Sequence, residues 1–191
     1  MRGVPSVGRA RVSLARLCSR VPWFPMRAPV SVRPLAPPDS AAARALANTV
    51  FGDAPYAPSM LAPLDGALRS DGEEYRALVV GEHTALIGLI VFGATAGALG
   101  AGRIYFVAVD GSARRRGLAT ALIEAACAEL RSRGGRFVAM EMPEEPRLDG
   151  ARAAALRAGF RLEGRVSDYV REGVGLAFLR RDLAGAHDSS R

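Results

Sequence analysis

Three arginines and a glycine stand where a predicted strand meets a predicted helix, and their types and spacing suit an anion-binding site. The run Arg114-Arg115-Arg116-Gly117-Leu118-Ala119 follows an apolar stretch that ends at Val109 and Asp110. The first turn of a helix has backbone N–H groups without partners in the helix, and the helix dipole favours negative charge there. Gly117 lets a ligand approach the backbone closely. The junction therefore fits a diphosphate.

The arginine run fits several alternative roles less well. An exposed cluster of cations at a helix start opposes the helix dipole, unless an anion is bound. No Gly-Lys-Ser/Thr sequence follows a glycine-rich loop, and no Gly-x-Gly-x-x-Gly turn follows a strand, so a P-loop and a dinucleotide-binding turn are set aside. A nucleic-acid surface usually has dispersed basic residues interleaved with aromatic ones, which the run does not show.

The elements around this junction predict an α/β domain. The helix that begins at Leu118 has apolar residues at four-residue intervals and stops at Gly134-Gly135. Alternation and turn residues predict the other elements. We expect strands near residues 30–35, 75–80, 85–92, 103–109, 136–142, 160 onward and 174–179, and helices near 41–50, 59–69 and 150–158. Strands and helices in this order predict three layers, with a central sheet.

Composition bounds the class of protein. The chain has 191 residues, 49% of them hydrophobic, which is enough for one globular domain. No apolar run is long enough to span a membrane. Cys18 and Cys127 show neither metal-ligand spacing nor a persuasive disulfide pattern, which suits a reducing, cytoplasmic location. With only His83 and His187, a histidine zinc site or a serine triad is not expected, and we predict no metal.

The net charge of +7 comes from the N-terminus. Residues 1–38 contain seven arginines and no acidic residue, whereas the rest of the chain has 19 arginines and 19 acidic residues. We expect a basic extension over residues 1–28, a folded domain over 29–183 and a polar tail over 184–191. The extension either lies upstream of a start at Met26 or is an arginine-rich targeting segment. Nucleic-acid binding through this leader is a further hypothesis, but we predict no nucleic-acid partner.

The strand, the pattern Arg114-x-x-Gly117-x-Ala119 and the helix together resemble motif A of the GCN5-related N-acetyltransferases (GNAT). The resemblance implies the GNAT-type acyl-CoA N-acyltransferase fold, with a mixed, mostly antiparallel sheet flanked by helices. It also implies acetyl-CoA as co-substrate, with the strand backbone pairing with pantetheine and the loop N–H groups holding the pyrophosphate. These roles fall on Val107, Ala108, Val109, Arg114, Arg115, Arg116, Gly117, Leu118 and Ala119.

The region before Gly159-Phe160 resembles motif B of the family, but it departs from the pattern at two positions. Many relatives have Asn-x-x-Ala-x-x-Leu-Tyr there, whereas counting back without gaps puts Leu148 at the asparagine and Ala155 at the tyrosine. In the family, the tyrosine returns a proton to the leaving thiolate. Here the proton comes from water or from another hydroxyl, and Tyr169 is the nearest downstream candidate.

The resemblance implies transfer of acetyl from acetyl-CoA to a primary amine by direct attack in a ternary complex. Glu141 is the candidate base, because a carboxylate removed from water in an apolar strand accepts a proton more readily. The alternative is that strand alternation points Glu141 outward while Met140 and Met142 face the core.

The sequence does not decide which amine is the acceptor or which residues surround it. The acceptor is a small molecule or a peptide, no membrane partner is expected, and a homodimer is left open. Tyr56 and Phe51 either line the acceptor pocket or pack in a loop, and the loop 143–146, which contains Glu144 and Glu145, either attracts a cationic acceptor or is surface charge. The missing asparagine and tyrosine support a rival hypothesis, a non-catalytic acyl-CoA-binding sensor or interaction domain of the same fold.

Overall fold

The computed structural model describes residues 31–69, 74–82 and 85–183. The expected N-terminal extension and C-terminal tail, together with His83, lie outside the described residues. The strands are β1 (Val32–Pro34), β2 (Tyr75–Glu82), β3 (Ala85–Ala94), β4 (Ala101–Val109), β5 (Phe137–Pro143), β6 (Arg161–Arg171) and β7 (Val174–Asp182). The helices are α1 (Ser40–Phe51), α2 (Ala57–Arg69), α3 (Leu118–Ser132) and α4 (Asp149–Arg157). Short 3-10 turns span Pro37–Asp39, Gly111–Ala113 and Pro146–Leu148.

The described strands form one seven-stranded sheet in the order β1-β2-β3-β4-β5-β7-β6. Strands β4 and β5 are parallel neighbours, and the other neighbouring pairs in this sheet are antiparallel. The predicted fold class, a mixed and mostly antiparallel sheet flanked by helices, is therefore confirmed. Several element boundaries differ from the prediction by a few residues. For example, α2 begins at Ala57, and Phe51 ends α1 instead of opening a loop.

Helix α3 lies directly on the sheet. Its apolar residues at four-residue intervals are all buried: Leu118, Leu122, Ala126 and Leu130. A Cβ added at Gly88 of β3 would lie 3.0 Å from Leu122, and one added at Gly102 of β4 would lie 2.8 Å from Leu130. These two glycines therefore set how closely α3 approaches β3 and β4.

Helix α1 packs on the opposite face of the sheet. The rings of Phe51 and Phe106 meet edge to face at 5.4 Å between centroids. The register between β3 and β4 shifts so that Tyr105 is an extra residue between Ile104 and Phe106. Such a β-bulge changes which face the following side chains point to. Phe106 consequently points towards α1, although alternation from Gly102 would have placed it under α3.

Strands β4 and β5 pair over only part of their length. Their parallel register runs from Ala101 opposite Phe137 to Ile104 opposite Met140. Residues 105–109 of β4 have no partner on β5, whereas β5 stays paired with β7 as far as Pro143. The sheet therefore opens into a gap at the C-terminal end of β4, next to the arginine loop.

Candidate active site

A cleft of about 350 Å³ lies beside this gap. Seven of the nine residues predicted to bind the coenzyme line it: Val107, Val109, Arg114, Arg115, Gly117, Leu118 and Ala119. The side chain of Ala108 is fully buried, and Arg116 is not among the lining residues. The structure thus brings the strand end and the arginine loop to one cleft.

The backbone of β4 faces the gap at alternate residues. The N–H of Asp110 donates a hydrogen bond to the carbonyl of Ile87, at 3.0 Å. In an antiparallel ladder, hydrogen-bonded and non-hydrogen-bonded pairs alternate along the strand. The N–H and C=O groups of Val107 and Val109 therefore point away from β3 and towards the gap. They are free of β5 and suited to pairing with an extended chain that carries amide groups.

The loop between β4 and α3 is held in a sharply turned conformation. Asp110 Oδ1 accepts hydrogen bonds from the Ser112 N–H at 2.9 Å and from the Ser112 hydroxyl at 2.5 Å, and these bonds lower the pKa of Asp110. Arg115 and Gly117 have left-handed backbone conformations, with φ of 59° and 82°. A left-handed arginine costs about 1 kcal/mol, a strain often found where a loop clamps a ligand.

The N-terminus of α3 is available to an anion. Gly117 is its N-cap residue, and no side chain in the described part of the chain caps it. Gly117 lines the cleft together with the first helical residues, Leu118, Ala119 and Thr120. The unpaired N–H groups of this first turn, the helix dipole and two arginines therefore act on the same space.

The opposite wall of the cleft comes from the segment that leads into α4, to which the sequence analysis assigned no part in the coenzyme site. Its lining residues include Arg147, Leu148, Ala151 and Arg157. Arg147 donates to Asp53 Oδ1 at 2.7 Å and lies 3.2 Å from Glu145. The available signal was the three-residue spacing of Leu148 and Ala151, which places these two on one side of the turn and helix.

A narrow pocket of about 20 Å³, here called the slot, adjoins the cleft. The two share Val107, Leu148 and Ala151. The other residues of the slot include Phe51, Met60, Tyr105, Phe106, Glu141 and Met142. Because of the β-bulge, the consecutive aromatic residues Tyr105 and Phe106 both reach the slot. Phe51 lies in the wall of the slot and is at the same time a buried core residue packed on Phe106.

Glu141 lies in the wall of the slot. We expected its carboxylate to be removed from water, but the structure leaves it partly exposed. Its side chain is 36% exposed and accepts a hydrogen bond from Arg103 Nη2 at 2.6 Å. Met140 and Met142 are buried, in agreement with the alternation that places Glu141 on the other face of β5. A charge-assisted hydrogen bond of this kind fixes the orientation of a carboxylate.

Tyr169 lies outside both pockets. Its side chain is 62% exposed on β6, and it lines neither the cleft nor the slot. Leu148 and Ala155, at the positions where relatives carry asparagine and tyrosine, are both buried apolar residues. Within the described residues, helix α4 thus offers no hydroxyl at the tyrosine position.

The acidic segment 143–146 is not simply surface charge. Glu145 is only 5% exposed and accepts hydrogen bonds from the Tyr56 hydroxyl at 2.9 Å and from Arg171 at 3.0 Å. Burial, together with this carboxylate, raises the pKa of Tyr56 to about 12. Glu145 thereby joins the segment between α1 and α2 to the β6–β7 hairpin. Tyr56 packs against the core and does not line the slot.

Metal ligands and membrane-spanning helices are both absent from the part of the chain that the structure describes. No group of three or more His, Cys, Asp or Glu side chains there is placed to hold a metal ion. No helix among these residues has the length and apolar character needed to cross a membrane.

The mixed sheet, its gap and the cleft beside it fit a protein that binds an extended ligand ending in a diphosphate, and comparison with known families identifies the family of this chain. A family model described as the acetyltransferase (GNAT) family matches residues 43–160. The chain therefore belongs to the GNAT acetyltransferases, a family of acetyl-CoA-dependent enzymes. No curated protein sequence matches the chain significantly.

Solved structures share this fold at low sequence identity. A protein described as a GNAT-family acetyltransferase from Desulfovibrio desulfuricans is 23% identical, with a TM-score of 0.72 over 81% of this chain and 99% of that one. A ribosomal-protein-alanine N-acetyltransferase from Brucella melitensis is 17% identical, with a TM-score of 0.65 over 80% and 99%. An aminoglycoside 6'-N-acetyltransferase complexed with coenzyme A is 12% identical, with a TM-score of 0.69 over 83% and 99%.

Proposed function

We propose that this protein transfers an acetyl group from acetyl-CoA to a primary amine by direct attack within a ternary complex. The observation that carries the proposal is the cleft, in which the open backbone of Val107 and Val109 leads to the uncapped N-terminus of α3. In this proposal the residues 107–109 pair with pantetheine and the residues 114–119 hold the diphosphate. The adjoining slot receives the acceptor amine.

The proposed base is Glu141. The amine must lose a proton as its nitrogen bonds to the acetyl carbon and the carbon–sulfur bond of acetyl-CoA breaks. The hydrogen bond from Arg103 holds Glu141 along the slot wall, so the carboxylate is able to take this proton directly or through one water. The thiolate of CoA then takes a proton from water, because Tyr169, the hydroxyl considered in its place, lines neither the cleft nor the slot.

Titration of the protein with acetyl-CoA, with ATP as a control, tests the binding half of the proposal. Release of free CoA in the presence of amines, followed by liquid chromatography, tests the transfer. Glu141→Gln should lower kcat/KM at least about 100-fold without changing the Kd of acetyl-CoA. Glu163→Gln is the matched control, because Glu163 is 41% exposed and accepts from Arg161 at 2.7 Å.

A second candidate function is a non-catalytic acyl-CoA-binding domain. The buried apolar residues Leu148 and Ala155, at the positions of the family's asparagine and tyrosine, favour it. It predicts coenzyme binding with no CoA release on any amine. Tyr169→Phe addresses the same point, because a loss of turnover would assign the missing hydroxyl to Tyr169.

A further inference from the structure

Four arginines line the cleft, and two of them already share their charge with carboxylates of the protein. Arg147 donates a hydrogen bond to Asp53 at 2.7 Å and lies 3.2 Å from Glu145. Hydrogen bonds within the loop lower the pKa of Asp110, and the nearby charge of Arg114 lowers it further. These two arginines therefore have only part of their charge left for a ligand.

The other two arginines of the cleft, Arg115 and Arg157, form no ion pair with any residue that the structure describes. Both residues are exposed. They lie on opposite walls, because Arg115 belongs to the loop before α3 and Arg157 is the last residue of α4. The cleft therefore contains uncompensated positive charge on both walls.

Helix α4 separates Arg157 from the slot. The slot adjoins the cleft at Leu148 and Ala151, at the start of α4, whereas Arg157 lies in its last turn. Gly150 and Arg157 both line the cleft, and their spacing of i and i+7 places them on the same side of the helix, about 10 Å apart along its axis. A Cβ added at Gly150 would meet no atom within 4 Å. The wall between the two residues is therefore open to a ligand, and Arg157 lies at the end that is remote from the slot.

Acetyl-CoA carries more negative charge than the diphosphate site compensates. Besides its diphosphate, it has a separate phosphate on the 3′ carbon of the same ribose. The N-terminus of α3 supplies roughly half a positive charge, whereas a phosphate monoester carries roughly −1.5 to −2 at pH 7. Because Arg115 belongs to the loop that holds the diphosphate, Arg157 is the unpaired cation that remains for the second anionic group.

From these observations we infer that Arg157 binds the 3′-phosphate of the coenzyme, so that the protein selects CoA thioesters over their dephospho forms. The inference rests on the proposed function, because it requires CoA to occupy the cleft. A guanidinium suits this role, since its planar fork donates two parallel hydrogen bonds to a phosphate. An arginine that only complements the dipole at the C-terminus of α4 would not distinguish the two forms of the coenzyme.

Titration with CoA and with dephospho-CoA, which lacks only the 3′-phosphate, tests the inference without any acetyl transfer. The ratio of the two Kd values measures what that phosphate contributes to binding. We expect dephospho-CoA to bind the wild type at least about 10-fold more weakly than CoA, because its charge-assisted hydrogen bonds to the guanidinium are missing. Arg157→Gln should lower this ratio to less than about 3, because the phosphate then gains little from its partner.

Arg133→Gln is the matched control. Arg133 is the C-cap residue of α3, is exposed, and forms no ion pair with the residues that the structure describes. It lines neither the cleft nor the slot. The substitution removes the same charge from the C-terminus of a helix, but it should leave the ratio of Kd values as in the wild type. Thermal unfolding of both variants shows whether the fold is retained.

Equal affinity of the wild type for CoA and dephospho-CoA would overturn the inference and leave the proposed function standing. A wild-type ratio in a folded Arg157→Gln variant would also overturn it, since another residue would then bind the phosphate. The same holds for an equal fall of the ratio in both variants, because net charge alone would explain the preference. Failure of the wild type to bind either ligand is a separate result, and it would overturn the proposed function itself.

Discussion

Gly117 allows a sharp test of the coenzyme site, because the same helix offers a matched control. Gly117 precedes α3 with φ of +82°, and Gly134 follows α3 with φ of +83°. A Cβ added at either glycine meets no atom within 4 Å. Gly117→Leu and Gly134→Leu therefore impose the same backbone strain, but only Gly117 lines the cleft.

The expected changes in Tm and in acetyl-CoA affinity distinguish backbone strain from loss of coenzyme binding. A left-handed leucine costs about 1–2 kcal/mol in either variant, which corresponds to a fall of roughly 2–8 °C in Tm for a chain of this size. At Gly117 the side chain also keeps the diphosphate away from the N–H groups of the first turn. Loss of two such bonds, each about 1.5–3 kcal/mol, weakens acetyl-CoA binding at least about 100-fold.

Calorimetric titration with acetyl-CoA and thermal unfolding without it measure the two effects. We expect similar Tm values for the variants, loss of measurable affinity in Gly117→Leu and near wild-type affinity in Gly134→Leu. If both variants bind acetyl-CoA like the wild type, the diphosphate does not lie on this turn. If both variants lose affinity for acetyl-CoA equally, backbone strain alone explains the loss, and the diphosphate site at the first turn of α3 is not supported.

Three further predictions concern stability and reactivity. The hydrogen bond from Arg33 lowers the pKa of Asp39 to about 2, so its stabilisation is complete above about pH 4 and is lost as the pH falls towards 2. Asp39→Asn should therefore lower the free energy of unfolding in urea by about 1 kcal/mol at pH 6 and by less at pH 2.5, and an equal loss at both would contradict this. Burial raises the pKa of the Cys127 thiol to about 11, so iodoacetamide at pH 8 should modify it only in urea, as peptide mass spectrometry would reveal. Tyr56→Phe removes a donor to the buried Glu145 and should cost about 1–2 kcal/mol in urea unfolding, whereas an unchanged midpoint would show that the bond contributes nothing.

The arginine loop was predictable because its signals are local. A strand, a left-handed glycine and an amphipathic helix follow one another in the chain, and the four residues of α3 that the four-residue spacing singles out are all buried. The order of strands and helices likewise predicted the fold class. These features depend on neighbours in sequence, which periodicity and turn chemistry describe directly.

The acceptor side was less predictable because its features depend on distant contacts. Glu141 pairs with Arg103 from another strand, and Glu145 is buried by groups from two separate segments. Sequence alternation gave the direction of Glu141 but not its partner. The bulge at Tyr105 has no local signal either, although it decides which aromatic side chains reach the slot.

The short pairing between β4 and β5 has a consequence for how the protein is assembled. Four residue pairs join the β1–β4 half of the sheet to the β5–β7 half, and each half is continuous in sequence. Each is built from antiparallel neighbours, so each is expected to form before the long-range parallel contact joins them. A ligand in the gap would then cross-link two folding units. Amide exchange along β5 should slow when acetyl-CoA binds, more than exchange at the distant β1–β2 edge does.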